Sequence, residues 1–372
     1  MPRVKRGRGG VALVVWALAL LAFVPAAQSA DGPELGVLHV SAPSDATLEI
    51  FDAGGAPLAT VFPVPGQRAP RPFFLSPPSW SGDGQLLIAA GFAKPGSEGQ
   101  LHLYAVPPEG GAPTVIPGST NALYPVGLPD GQTVAFLRGR GSESGKISED
   151  TSGHRVVHRT HARFSLWIGG IAAGKPRRVT PWRTDGFDVP ISASPDGLTL
   201  AVSRVTIDRT KRGGAGRRSR VVLLDLRTGR AVTVGENVAS AVFSPDGSRL
   251  ALVIEHPFPR PQVRKSKGST ARLYGETDIA VKDLATGAVR TLTSGPALDG
   301  SPAWDPSGQR LAFVRLGNPL QSEAAAFGIG DSVYEVNADG SCLTRVLHEA
   351  GGGFTSPAWR PGPERGAGPL AC

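Results

Sequence analysis

Three histidines form the group of side chains in this sequence that most resembles a metal-binding site. They are His154, His158 and His161. Imidazole nitrogens are common ligands of divalent transition metals, so three of them this close along the chain could hold one ion. Arg155 and Arg159 are interspersed with them and would repel a cation. We therefore predict that the protein binds no metal, and these histidines are the alternative site.

Motifs for catalysis and cofactor binding are missing from the sequence. A serine hydrolase of the α/β class would need a Gly-x-Ser-x-Gly pentapeptide with a later Asp and His, and no such pentapeptide occurs. The chain also has no Walker loop, no His-Glu-x-x-His motif and no EF-hand loop. The sequence therefore predicts no catalytic residue, no cofactor and no enzyme activity.

Residues 1–30 have the three-part layout of a secretory signal peptide. Arg3, Lys5, Arg6 and Arg8 precede an apolar run over residues 11–24, and mostly small residues follow Pro25. A membrane span needs about 20 apolar residues, which makes this run short for one, although an uncleaved anchor is the alternative. We predict a protein of the periplasm or the cell exterior, with no transmembrane span after the signal is removed.

Half of the net positive charge belongs to the predicted signal. The whole chain carries 39 Lys and Arg against 31 Asp and Glu, a formal charge of +8. A charge of this sign can indicate binding to nucleic acid. After removal of residues 1–30, 35 basic residues remain against 31 acidic ones, and the charge falls to +4. Export and this smaller charge together predict no nucleic-acid partner.

A turn motif recurs along the rest of the chain. Each copy has Pro or Gly, then Asp or Ser, then Gly, and an alternating apolar run such as Leu250-Ala-Leu-Val follows it. Proline presets φ and glycine supplies a positive φ, so each motif predicts a hairpin turn whose Asp builds the turn rather than doing chemistry. The five copies are residues 80–84, 127–131, 193–197, 243–247 and 304–308, with a partial sixth at 359–362.

A second hairpin and a short fourth strand follow each turn, which gives four short strands per repeat. Four-stranded repeats with a turn between each pair of strands are typical of β-propeller blades. We predict an all-β protein with one domain, residues 31–372, folded as a six-bladed β-propeller. One C-terminal strand and three N-terminal strands close the ring. The predicted blades are 35–63 with 354–361, 73–117, 121–181, 187–235, 238–294 and 299–348.

The recurring Ser-Pro-Asp-Gly turn, followed by a Leu-Ala-Phe-type strand, resembles the WD40-like repeat of the TolB family, called PD40. The resemblance covers nearly the whole chain after the signal. It implies a periplasmic binding protein without chemistry of its own, whose prototype binds a peptidoglycan-associated lipoprotein. The prototype has an α/β domain before its propeller, whereas strand-like sequence begins here at about Leu35.

Four insertions are predicted between the second and third strands of their blades, at residues 138–163, 207–220, 255–277 and 316–332. The first three hold 17 basic and 6 acidic residues, a net +11, which leaves −7 for the rest of the chain after the signal. Such loops leave a propeller on one face, where they would attract an anionic surface. Solvated, disordered loops are the alternative. The candidate binding residues are Lys211, Arg212, Arg217, Arg218, Arg264, Lys265 and Lys267.

Cys342 and Cys372 are the only cysteines, and both lie near the C-terminus. An even number of cysteines in an exported protein permits a disulfide, with two free thiols as the alternative. Cys342 follows the turn before the last strand of its blade, and Cys372 ends the tail that leaves the neighbouring inner strand. Both positions fall on the face opposite the insertions, so we predict a disulfide that fixes the tail.

Together these features predict an exported, monomeric, non-catalytic scaffold that binds an envelope protein or an anionic polymer or lipid surface. The alternative is a hydrolase or lyase that acts on a small or carbohydrate ligand in the central channel. A deep axial pocket with converging His, Asp or Glu side chains would favour the enzyme, and an open basic rim would favour the scaffold.

Overall fold

A computed structural model describes most of the chain after residue 32, and the predicted signal lies outside the described parts. No helix occurs in these parts, and so none that could cross a membrane. The prediction of an all-β protein is confirmed. The described residues are 33–42, 45–62, 72–94, 97–141, 144–149, 155–160, 162–208, 216–266, 269–317, 330–349, 353–362 and 366–372.

The described chain forms 27 strands, most of them short. The first fourteen are β1 (Glu34–Ala42), β2 (Asp45–Asp52), β3 (Pro57–Phe62), β4 (Pro72–Leu75), β5 (Ser79–Trp80), β6 (Leu86–Lys94), β7 (Ser97–Val106), β8 (Thr114–Val115), β9 (Ala122–Gly127), β10 (Thr133–Arg140), β11 (Ser144–Glu149), β12 (Arg155–Thr160), β13 (Arg163–Gly170) and β14 (Arg177–Arg178). The others are β15 (Gly186–Ala193), β16 (Thr199–Asp208), β17 (Gly216–Asp225), β18 (Ala231–Thr233), β19 (Val238–Phe243), β20 (Arg249–Ser266), β21 (Ser269–Asp283), β22 (Val289–Thr291), β23 (Leu298–Trp304), β24 (Arg310–Leu316), β25 (Ser332–Asn337), β26 (Thr344–His348) and β27 (Gly353–Trp359).

Antiparallel pairing of neighbours along the chain builds the sheets. Three sheets are four-stranded, in the orders β27-β1-β2-β3, β9-β10-β13-β14 and β15-β16-β17-β18. Another has the order β4-β6-β7-β8 with β5 beside β6. The strands β19–β22 and β23–β26 make two further meanders, which one parallel contact between Thr277 and Leu298 joins into a larger sheet. β11 and β12 pair only with each other.

Six groups of strands are used below as units: β27-β1-β2-β3, β4–β8, β9-β10-β13-β14, β15–β18, β19–β22 and β23–β26. Apolar residues on both faces of these sheets pack into six buried clusters among the described residues, and each cluster joins two neighbouring groups. Leu48 and Ile50 of β2, for example, pack with Leu86 and Ile88 of β6. One cluster joins the two ends of the chain, because Leu35 of β1 packs in it with residues of β24 and β25. Burial on both faces explains the continuous apolar runs after the turns, since no face of these strands is left for water.

The recurring turns have the hydrogen bonds that their sequence predicts. In the turn at 193–197, Asp196 accepts the Leu198 amide N–H at 2.9 Å and the Ser194 hydroxyl at 2.5 Å. Gly197 has a φ of +69°, in the region that favours glycine. Asp130 in another copy accepts two amide N–H groups in the same way. These aspartates are therefore bound in local turn structure, as expected.

Neighbouring groups approach so closely that Gly127 of β9 has no room for a side chain. A Cβ at this position would overlap the Trp80 carbonyl oxygen and lie 2.8 Å from Ser81 Cα, both of them backbone atoms of the preceding group. Gly127→Ala should therefore lower the free energy of unfolding by about 1–3 kcal/mol, the usual cost of overpacking. Urea denaturation measures this. The control is Gly300→Ala in β23, where a Cβ meets no atom within 4 Å, and equal losses in both variants would contradict the packing argument.

Two of the predicted insertions continue the pairing of the strands that flank them. β16 and β17 pair as far as Asp208 with Gly216, and β20 and β21 pair as far as Ser266 with Ser269. The insertion at 138–163 contains the separate β11–β12 hairpin. Most of the fourth insertion lies outside the described residues. The described parts of the first three therefore include regular hairpins and not only irregular loop.

The C-terminal tail is held against the meander β23–β26. Cys342 and Cys372 form a disulfide with their Cα atoms 5.2 Å apart, the pairing that their positions in the sequence suggested. The Ala367 N–H donates to Asp305 Oδ2 at 3.0 Å, and the Leu370 N–H donates to Asn337 Oδ1 at 2.6 Å. Asn337 Nδ2 also donates to the Leu370 carbonyl oxygen at 3.0 Å, so one disulfide and three hydrogen bonds hold residues 366–372 in place.

Candidate functional site

Strands that begin the successive groups converge on one cavity of about 840 Å³. We call it the turn cavity, because it lies at the ends of these strands that enter the recurring turns. Its wall contains proline rings, serine hydroxyls and the side chains that precede the turns, among them Trp304 and Trp359. The prolines are Pro77, Pro78, Pro125, Pro129, Pro190, Pro195, Pro245, Pro302, Pro306, Pro357 and Pro361.

Five of these prolines lie in or beside the first strand of a group: Pro77, Pro125, Pro190, Pro302 and Pro357. Proline cannot donate a hydrogen bond and is tolerated in a sheet only on an edge strand or at a bulge. The cavity-lining strands are such edges, with one side paired and the other facing the cavity. Sequence reasoning placed the turns and considered a ligand in the central channel, but it did not predict which residues line this cavity. A proline ahead of every turn except the one at 243–247 was the available signal.

Three residues in the wall have an uncommon backbone conformation. Tyr124, Ser301 and Ser356 have φ values of +52°, +52° and +50°, and a proline follows each one. Each lies where the pairing register shifts, so one extra residue bulges out of the strand. Such conformations cost about 1–3 kcal/mol each and concentrate at functional sites. The bulges place one phenol and two hydroxyls in the cavity wall.

The turn cavity contains little that could transfer a proton near neutral pH. Among its lining residues, all within the described chain, Asp246 is the only carboxylate, and none is His, Glu, Cys, Lys or Arg. Asp246 accepts hydrogen bonds from Ser244 and Ser248, which hold its pKa at about 2 against the opposing effect of burial. The cavity suits apolar and hydrogen-bonding contacts with a ligand.

The predicted basic binding residues lie partly outside the described chain. Lys211, Arg212 and Lys267 fall there. Arg218 is exposed on β17, opposite Thr206, and Arg217 is its neighbour, opposite Ile207. Arg264 and Lys265 are on β20, opposite Ala271 and Thr270. The basic binding face therefore stays a prediction.

The three histidines considered as metal ligands are not brought together by any described contact. His154 and His161 lie outside the described residues, and His158 is on β12 opposite Lys146. In the described part of the chain, no group of three or more His, Cys, Asp or Glu side chains has a metal-binding arrangement.

Buried ion pairs lie near the other end of the strands that line the cavity. Arg204 donates two hydrogen bonds to Asp188, at 2.7 and 3.1 Å, and Arg315 donates two to Asp299, both at 2.7 Å. Both aspartates are almost inaccessible to solvent, so the arginines neutralise charges that water cannot reach. These pairs join the first strand of a group to its second strand.

His256 and Asp278 add a more exposed pair near Asp299, with 2.9 Å between His256 Nε2 and Asp278 Oδ2. Burial raises the pKa of Asp278, the charge of His256 opposes the shift, and Asp299 adds to it. The carboxyl groups of Asp299 and Asp278 are therefore each paired with a basic side chain, Arg315 for the first and His256 for the second.

Glu335 of β25 is the most deeply buried acid with a large shift. Its side chain is 0% exposed and lies 3.0 Å from Arg310 Nη1. The two form an ion pair whose angles do not meet those of a hydrogen bond, and neither Glu335 oxygen accepts a hydrogen bond from any described residue. Burial raises the pKa of Glu335 to about 7, although Arg310 opposes the shift. Arg310 also lies over the Trp359 ring, at 5.0 Å from its centroid.

Glu335 should make stability fall as the pH rises. The folded protein holds a proton up to about pH 7 that the unfolded chain releases near its usual pKa of 4.5. Its contribution to the free energy of unfolding is fully present below that value and is lost as the pH rises to about 7. Glu335→Gln should flatten this decline in urea denaturation at pH 4.5 to 7.5. Glu236→Gln, at an exposed position, is the control, and the same decline in both variants would contradict the assignment.

Comparison with known proteins identifies the fold. No protein-family model matches the chain, and no curated protein does. Among solved structures, TolB from Acinetobacter baumannii is 21% identical with a TM-score of 0.56, over 89% of this chain and 67% of that one. A chain of a nidogen/laminin complex is 10% identical with a TM-score of 0.52, over 88% of this chain and 98% of its own. Hydrazine synthase from Kuenenia stuttgartiensis is 12% identical with a TM-score of 0.52, over 92% of this chain and 48% of its own.

These similarities define the class of protein as a β-propeller. Within that class, the fold is similar to that of TolB. Identities this low establish the fold alone.

Proposed function

We propose that the protein is an exported, six-bladed propeller with PD40-type repeats that acts as a non-catalytic, monomeric binding scaffold. The groups β19–β22 and β23–β26 are two blades, and β4 with β5 is one interrupted inner strand. The pairing of β27 with β1 closes the ring. The buried cluster that joins β1 to β24 and β25 supports this closure.

The composition of the turn cavity is the observation that carries the non-catalytic role. An enzyme acting in the channel would need converging acids, bases or metal ligands, whereas this wall consists of prolines, serines and apolar side chains. Proline rings and bulged hydroxyls instead suit an ordered binding surface. Because such a surface is already rigid, the protein loses little conformational entropy when a ligand binds to it. No cofactor and no nucleic acid enter this proposal.

The partner is an envelope protein or an anionic surface in the periplasm or outside the cell. The insertions supply the charge, with a net +11 on the first three. Exposed Arg218 and the hairpins β16–β17 and β20–β21 support a basic projection on one side of the ring. Its attraction for an anionic partner acts over about 8–10 Å in physiological salt.

Crosslinking pull-down from isolated envelopes tests the proposal. A variant with Arg217, Arg218, Arg264, Lys265 and Lys267 replaced by Ser should capture at least about tenfold less partner at low salt, through loss of its summed field. The control replaces five arginines outside the insertions, Arg177, Arg178, Arg227, Arg230 and Arg290, by Ser and should bind as wild type does. Equal binding by all three proteins would exclude the basic face as the binding site.

A further inference from the structure

The second strand of each group has one recurring position whose residue lies directly opposite a residue of the first strand. We compare the chemical character of the two residues in each of these pairs. In four of the groups this position is the seventh residue after the glycine of the turn, and it pairs with the first strand five residues before the end of that strand. In the other two groups the nearest equivalents are Gly91 with Phe74 and His39 with Phe354. The pairs are Phe74 with Gly91, Ala122 with Arg138, Asp188 with Arg204, Val238 with Ile254, Asp299 with Arg315, and Phe354 with His39.

Four of these six pairs are matched by charge, by aliphatic character or by ring stacking, and in a fifth Phe74 faces Gly91, which has no side chain. Two are ion pairs with double hydrogen bonds, one joins two aliphatic residues, and one stacks His39 on Phe354 at 5.1 Å between ring centroids. Of the three arginines at this position, only Arg138 has an apolar partner, because Ala122 stands where the other two arginines meet an aspartate. The chain thus keeps the arginine of an ion pair without its carboxylate.

Arg138 is held in place although no acid among the described residues forms an ion pair with it. Its guanidinium lies over the Trp167 ring at 4.4 Å from the centroid and over Phe136 at 5.3 Å. Its Nε is buried and makes no hydrogen bond to any described residue. Burial also lowers the pKa of Arg138. The cation–π contacts offset part of the free-energy cost of burying the guanidinium, but a buried N–H donor without an acceptor remains unfavourable.

We propose that Arg138 is a binding site for a carboxylate group of a ligand, which takes the place of the aspartate missing at Ala122. Asp188 and Asp299 show the chemistry that the position accepts, since each binds its arginine through two parallel hydrogen bonds. A guanidinium fork fits a carboxylate in this way and gains specificity from it. Trp167 stacks on the Arg138 guanidinium, and Arg138 as a whole remains partly exposed. A ligand carboxylate would approach the exposed part of the guanidinium and supply the acceptor that the buried Nε lacks.

NMR of the arginine Nε–H groups in ¹⁵N-labelled protein during titration with sodium acetate tests this site directly. Sodium chloride at equal ionic strength is the reference, and sodium phosphate is a second arm. The Arg138 signal should shift saturably with acetate, whereas the signals of Arg204 and Arg315, whose carboxylates are internal, should not. Equal shifts of all three signals, or none for Arg138, would overturn the proposal. A stronger response to phosphate than to acetate would overturn its carboxylate specificity.

Ala122→Asp supplies the missing carboxylate within the chain. In this variant acetate should no longer shift the Arg138 signal. Acetate should raise the melting temperature of the wild type, because it binds the folded state, and should not raise that of the variant. Because Ala122 is fully buried and an aspartate there could be crowded, Arg138→Gln provides a second measurement. It should also lose the acetate-dependent rise in melting temperature. A rise that persists in Arg138→Gln would place the acetate effect elsewhere.

Discussion

Asp299→Ala should lower the free energy of unfolding by about 3–5 kcal/mol, the usual cost of removing one partner of a buried ion pair. Asp299 is 2% exposed and accepts both hydrogen bonds of Arg315. Those bonds raise the pKa of Arg315. Without them Arg315 still stays charged at neutral pH, because a guanidinium is not deprotonated in proteins. The guanidinium would keep only its contacts with Phe313 and Tyr334, at 5.5 and 4.9 Å from their ring centroids. Urea denaturation at neutral pH measures the loss.

A pair of the same chemistry at the surface provides the control. Arg183 binds Asp185 at 3.0 Å, but the Asp185 side chain is 68% exposed. Asp185→Ala should cost only about 0–1 kcal/mol, because water screens an exposed pair and solvates the remaining charge. A similar loss in Asp185→Ala and Asp299→Ala would mean that burial of Asp299 does not determine its effect.

Replacement of Cys342 and Cys372 by serine should lower the free energy of unfolding by about 3–4 kcal/mol in the chain-entropy account of a disulfide. The two cysteines are 30 residues apart, and the closed loop contains β27, the strand that pairs with β1. Without the bond, the unfolded chain gains freedom that folding must remove. The tail would also keep only its hydrogen bonds to Asp305 and Asn337.

Thermal denaturation with and without dithiothreitol measures this contribution. The reductant should lower the melting temperature of the wild type to that of the double serine variant and should leave the variant unchanged. Mass spectrometry of the non-reduced exported protein gives an independent result. Two free thiols in the wild type, together with no effect of the reductant, would refute the role of the bond.

Local turn chemistry explains how much of the fold could be predicted from the sequence. The turn at 193–197 is determined by its own residues. Asp196 accepts hydrogen bonds from the Ser194 hydroxyl and the Leu198 N–H, and Gly197 adopts the positive φ that favours glycine. The apolar runs after each turn then predict strands buried on both faces. The order of the turns determines at which end of a strand a residue lies. It placed Cys342 and the tail that ends in Cys372 on the same face, which was sufficient to suggest the disulfide.

The sites depend on pairing register, which the sequence did not reveal. The bulges at Tyr124, Ser301 and Ser356 shift the strands by one residue, so the contact of Ala122 with Arg138 could not be counted from the turn alone. Burial of Glu335 likewise depends on the packing of β25 against a distant part of the chain. The insertions were expected to be either a binding face or irregular loops, and their hairpins arise from pairing that continues beyond the apolar positions.

The pairing of β27 with β1 also has a consequence for the order of assembly. The hydrogen bonds of Arg360 to Glu34 join residues that are 326 positions apart in the sequence. Glu34 is therefore synthesised early and Arg360 near the end of translation. Until residues 353–359 leave the ribosome, β1 presents an open strand edge, the kind of edge that invites aggregation. A chain truncated before β27 would keep that edge permanently.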